Sequence, residues 1–190
     1  MVSMTQLWLP ILLSAVFVFI ASSIINMALK FWHMRDYRGL ANEDEVAAAM
    51  RKGGISPGAY MIPYCKGPDA MKDPAMQEKL KQGPVANINV RASGPMNLGA
   101  FLGQWFGFCL FVSIACAGLA AHVLPAQPHP HVAFHTIGIA ALLGYSFGEI
   151  PNAIWRGQPW VVTFKYFIDG IIYALITAGT FCWLWPAATA

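Results

Sequence analysis

The chain has 190 residues, of which 57% are hydrophobic and only 11% charged, and its mean hydropathy is +0.51. That balance excludes an ordinary soluble domain and points to an all-α membrane protein. The net charge of +3 comes from twelve Lys and Arg against nine Asp and Glu, and a mixture so even makes no nucleic-acid surface.

Crossing a hydrocarbon core of roughly 30 Å at about 1.5 Å per residue takes about 20 apolar residues. Four segments meet that length, near 7–29, 99–124, 132–153 and 160–185, and the whole chain, 1–190, reads as a single membrane domain. The first could pass for a secretory signal. No Lys or Arg precedes it, however, and LWLPILLSAVFVFIASSIINMAL is too long for an h-region, so a retained anchor is expected.

Residues 30–98 form the one substantial polar insert. Asn42 followed by Glu43, Asp44 and Glu45 predicts a helix with a capping box, closed by Arg51-Lys52-Gly53. Asp73-Pro74 opens a second helix and Gly83-Pro84 stops it. SPGAYMIPYCKGPD reads as turns, and VANINVRA alternates like a short strand. Such a segment has too little apolar surface to stand alone, and it is expected to lie on the membrane face as short helices. His33, Met34, Met61, Cys65, Met71 and Met76 scatter soft ligands through it. Their spacing fits no defined metal motif, although Met61, Cys65, Met71 and Met76 could form a second soft-metal site.

Gly99, Gly103 and Gly107 repeat every four residues in the second span, as do Gly170, Ala174 and Ala178 in the fourth. Small-residue stripes of this kind let helices approach closely, within a chain or between copies. Pro151 and Asn152 are expected to end or kink the third span.

All twelve basic residues fall on one side of this topology, ten in the insert, Arg156 in the third loop and Lys165 just inside the last span. The positive-inside rule then makes the insert cytoplasmic and places both termini and the 125–131 turn in the periplasm of a bacterial inner membrane. Trp8, Trp183 and Trp185 mark the outer interface and Trp32, Trp155 and Trp160 the inner one, in the same sense. The four cysteines, 65, 109, 116 and 182, show no C-x-x-C pair and read as small apolar residues.

Two constellations carry chemistry. HVLPAQPHPHVAFH, residues 122–135, holds four of the five histidines. His131 and His135 share a helix face, His129 lies between two prolines, and His122 ends the second span. Neutral imidazole is the usual protein ligand for copper and zinc, and Met1 and Met4, on the same side, would favour Cu(I). His122 and His135 at similar depth are also the arrangement of a bis-histidine haem. The second constellation is Glu149, Lys165 and Asp169 in the spans, expected as one paired cluster. It reads as a structural pin rather than a proton relay, since no acid in the outer halves completes a path.

GEIPNAIWRGQPW through FKYFIDGIIYALITAGTFCWLWP, with the pattern DYRGL…DEV…PGAYMIPYC…DPAMQEKLKQGPVANINV, resembles small four-helix bacterial inner-membrane proteins of unassigned function. The resemblance covers most of the chain and implies topology alone. The chain is also similar to an oligomeric copper-binding membrane protein of methane-oxidising bacteria, which favours copper over zinc and assigns no residue.

No nucleophile elbow, phosphate loop, dinucleotide fingerprint or zinc-protease helix is present, so no enzymatic reaction is expected. Three functions remain. The first is a homo-oligomer binding copper at the periplasmic histidines. The second is a structural or assembly subunit of a membrane complex without a metal of its own. The third is a proton-coupled carrier using Glu149, Lys165 and Asp169.

Overall fold

The computed structural model describes residues 2–187. Four stretches in it are long and apolar enough to cross a membrane, Trp8–Ala28, Leu98–Val123, Pro130–Arg156 and Trp160–Trp183. They are the spans of a multi-pass membrane protein. Met1, a candidate ligand, lies outside the described residues.

Helix α1 spans Trp8–Ser23 and passes into a π turn, Ile24–Ala28. That turn ends where the Leu29 N–H reaches back five residues to the Ile24 carbonyl, at 3.0 Å. Leu29 then takes ψ 66, a value outside the helical region, which stops the helix. The short helix α2, Lys30–His33, starts afresh from there.

Helix α5 spans Leu98–Val123, α6 Pro130–Ser146, α7 Ile150–Arg156 and α8 Trp160–Trp183. The third span is therefore not one regular helix. A 3₁₀ turn at Phe147–Glu149 joins α6 to α7, because Pro151 has no N–H to give and its ring crowds the carbonyl four residues back.

Helices α6 and α8 pack most closely. A Cβ on Gly138 would meet the Ala178 Cβ at 3.5 Å, and one on Gly170 would fall 1.7 Å from the Ser146 Oγ. The Gly170–Ala178 stripe is thus used inside the chain. Gly103 and Gly107 have nothing within 4 Å of where a Cβ would stand. Helix α1 is fastened to α5 by a buried Ser14 to Ser113 hydroxyl bond of 2.9 Å and by Trp105 Nε1 donating to Ser22 Oγ at 2.7 Å. Leu7, Ala117, Ala120, Ile137, Ala141 and Phe181 fill the centre of the bundle.

Two compact units are distinguished, one holding the residues up to Asp36 and the spans, the third of them as far as Ala153, the other made of Tyr37–Met96 with Ile154–Gly157. The second unit contains α3, Glu43–Lys52, α4, Pro74–Gln82, and an antiparallel pair of strands, β1, Gly58–Ile62, and β2, Ala86–Val90. The pair is a small sheet in a mostly helical chain, and β2 falls in the stretch expected as a short strand. Strand β1 lies in the stretch read as turns, and it is defined by its distant partner, Gly58 facing Val90 and Ile62 facing Ala86. Gly58 and Pro63 at its ends hide that pairing from a local reading.

Asp73 caps α4 through the Ala75 N–H at 2.9 Å. Asn42 makes no such cap on α3, and its amide turns to Glu45 instead, at 3.4 Å. Among the described residues of 37–96 none is buried.

Candidate functional site

The chemistry of the four-span unit gathers around Asp169. It is the tenth residue of the 24-residue α8, about 14 Å along the helix axis from its start, and only 2% exposed. Its Oδ1 accepts from Trp32 Nε1 at 2.8 Å, and its Oδ2 lies 2.7 Å from His33 Nε2. The other ring nitrogen, His33 Nδ1, lies 2.7 Å from Asp36 Oδ2. Asp36 Oδ1 in turn receives the Lys165 ammonium, which also donates to the Trp32 carbonyl.

One imidazole is therefore held between two carboxylates. Ionised carboxylates accept and never donate, so with both ionised the ring must carry a proton on each nitrogen. Such a ring, with the Lys165 ammonium, would balance the two carboxylates. His33 stacks on Tyr166 with ring centroids 4.7 Å apart and planes at 20°, and Lys165 Nζ stands 5.7 Å from the Trp32 ring centroid. Burial pushes the Asp36 carboxyl up, but hydrogen bonds from Lys165 and His33 and their charges outweigh it and hold the group below its usual value of 3.8.

The expected pairing of Lys165 with Asp169 is replaced by this longer circuit. Both residues belong to one cluster, but α2 supplies the imidazole between them and Lys165 goes to Asp36. Trp32 and Asp36 were missed by sequence reasoning, and His33 was placed with scattered soft ligands. A signal existed, because a His and an Asp three apart face each other on a helical turn. The break at Leu29 that turns them toward α8 has no such mark.

Glu149 is apart from that circuit. Its Oε2 accepts from Asn152 Nδ2 and from Gln158 Nε2, both at 3.2 Å, and Gln158 is steadied by Thr163 Oγ1 at 3.0 Å. Both donors are neutral amides, and among the described residues no Lys, Arg or His forms an ion pair with it.

Glu149 and Asp169 share the wall of a cavity of about 530 Å³ to which all four spans contribute. Helix α1 and its π turn bring Ser22, Ser23 and Asn26, α5 brings Phe101, Trp105 and Phe108, and α6 brings Tyr145. Helix α8 adds Tyr166 and Tyr173. The space has the size of a small-molecule site, with mostly apolar walls and few polar groups.

At the 124–129 turn the histidines do different work. His129 is the N-cap of α6, its Nδ1 accepting from the His131 N–H at 3.3 Å. That lone pair is spent on the helix. His122 Nδ1 faces the Gly118 carbonyl at 2.7 Å and His135 Nδ1 faces the His131 carbonyl at 2.8 Å. A carbonyl only accepts, so both rings hold their proton on Nδ1 and keep the Nε2 lone pair available.

The His131 and His135 rings lie with centroids 4.1 Å apart and planes tilted at 41°, while His122 makes no ring contact with them among the described residues. Met4 is exposed. Among the described residues no three of His, Cys, Asp and Glu come together as a metal site, in the turn or in the insert. All four cysteines are free thiols.

No protein-family model, curated protein or solved structure matches the chain.

Proposed function

We propose that this protein is a multi-pass carrier of a bacterial inner membrane that moves a small solute against a proton. The Asp169–His33–Asp36 unit stores the proton and the adjoining cavity holds the solute. One observation supports this above the others: Asp169 is buried in a span, bonded to an imidazole backed by a second carboxylate, and also part of the cavity wall. Ionisable groups in a span are costly and mark solute or proton paths. A simple pin would need only Lys165 and one carboxylate, and none of it would have to border a cavity.

In this reading the basic insert is cytoplasmic and both termini are periplasmic, following the Lys and Arg distribution. Asp169 touches both the cavity and His33, so a solute charge in the cavity and the hydrogen-bonded Asp169–His33–Asp36 unit meet at one carboxylate, which gives a coupling without any covalent chemistry. The test is reconstitution in liposomes with a lumenal pH dye, applying gradients of an organic cation, an amino acid, a sugar and a carboxylate in turn. At least one should drive proton flux, and Asp169→Asn or His33→Gln should cut it more than about tenfold while the protein still inserts. Flux absent with all four, or unchanged in both variants, overturns the carrier.

A second reading rests on the paired imidazoles of the outer turn. His131 and His135 offer two rings from one chain, and a homo-oligomer of two or more copies would complete a copper or zinc site. Copper in tagless, detergent-purified protein, measured by mass spectrometry, should vanish in a His129, His131 and His135 triple alanine variant. Equal, near-zero metal in both sinks this reading and returns the turn to a structural role.

A further inference from the structure

The chemistry of the cavity specifies what kind of solute fits it. Six aromatic rings, those of Phe101, Trp105, Phe108, Tyr145, Tyr166 and Tyr173, stand in its wall. Aromatic faces are negative at the centre and attract cations. Its two acidic residues differ in their neighbours. Asp169 is bonded to His33, whose other ring nitrogen meets the Asp36–Lys165 pair. Glu149 is bonded through one oxygen to two neutral amides and has no cationic partner among the described residues. Its charge is oriented by Asn152 and Gln158 but not cancelled. No lysine or arginine borders the cavity, so an anion meets nothing there that would hold it.

The geometry points to a monovalent organic cation with an apolar body as the ligand of this cavity. Its positive centre is balanced by Glu149 and its body lies among the rings of Trp105, Phe108, Tyr145 and Tyr173. A metal ion is a poor alternative, since no three of His, Cys, Asp and Glu converge as a metal site among the described residues. A sugar would need many hydrogen bonds from a wall that is mostly apolar. This inference rests on the carrier reading only for transport, since binding does not depend on it.

The experiment is equilibrium binding to the full-length protein in nanodiscs at pH 7.5. The probes are trimethyl(phenethyl)ammonium, its uncharged isostere with carbon in place of nitrogen, and benzenesulfonate. The cation should bind at least about tenfold more tightly than the isostere, benzenesulfonate should not bind, and Glu149→Gln should remove most of the difference between cation and isostere. Equal binding of cation and isostere to the wild type overturns the inference, and so does a preference that survives Glu149→Gln in protein with an unchanged helical circular-dichroism spectrum. The wild-type comparison decides the matter even where the variant does not fold.

The two proposals fail separately. Selective cation binding, with none of the four solutes driving proton flux, leaves the site and removes the carrier. Flux driven by the sugar, amino acid or carboxylate, with no selective cation binding, leaves the carrier and removes the cation.

Discussion

At the level of single residues, His33 depends on two carboxylates and Asp36 depends on two cations, so neither end of the chain of bonds is replaceable alone. Asp36→Asn leaves the half-buried Lys165 without its anion and gives His33 Nδ1 a neutral partner, and should destabilise the folded protein by about 1–3 kcal/mol. Denaturation in mixed micelles at pH 7 checks this, and a loss below about 1 kcal/mol contradicts the partnership.

The pH dependence has a defined sign. The folded Asp36 carboxyl titrates below its usual value of 3.8, so its contribution is present above that pH and is lost as pH falls through the lower, folded value. Thermal unfolding followed from pH 7 downward should therefore show an acid-side loss in the wild type that is smaller in Asp36→Asn. Equal acid-side losses in the two proteins would contradict it.

The elements are joined by two devices, small residues at close crossings and hydroxyl bonds between helices. Gly170 faces Ser146 with no room for a methyl group, so Gly170→Ala should cost about 1–3 kcal/mol by forcing α6 from α8. Ser146→Gly should recover a good part of that in the double variant. Gly103→Ala, with open space around it, should be near neutral in an isolated chain, and the contrast is measurable by resistance to sodium dodecyl sulfate.

Much of this level was legible in advance. Hydropathy and length identify a span because the bilayer imposes a minimum of about 20 apolar residues whatever the neighbours do. The 3₁₀ break before Pro151 follows equally from the proline itself. Strand β1 was not legible, since its residues become a strand through Ala86–Val90, more than twenty residues away. Nor was the partner of the α8 stripe, because a small residue announces closeness without saying to what.

The whole molecule offers two further tests. Under the proposed topology, a cysteine placed at Gln127 should react with an impermeant maleimide on intact spheroplasts, while Cys65 should react only after lysis; the reverse pattern inverts the topology. If copies assemble through the open face of α5, Gly103→Leu and Gly107→Leu should each lower the mass seen by native mass spectrometry to that of one chain. An unchanged mass assigns the contact to another face or to none.

Sequence alone determined that this is a membrane chain with four spans, a basic insert and ionisable residues within the last two. Those properties depend on composition along a line, and the bilayer reads them that way. Only the tertiary structure decided which charges meet. Lys165 and Asp169 are one helical turn apart, yet each pairs with a residue more than a hundred positions away, because the break at Leu29 turns Trp32, His33 and Asp36 toward α8. The same folding surrounds Glu149 with amides and aromatic rings rather than with a cation. Partner choice for a charge in a span depends on distance in space, since the cost of leaving it unpaired there is far larger than any local preference of the helix that carries it.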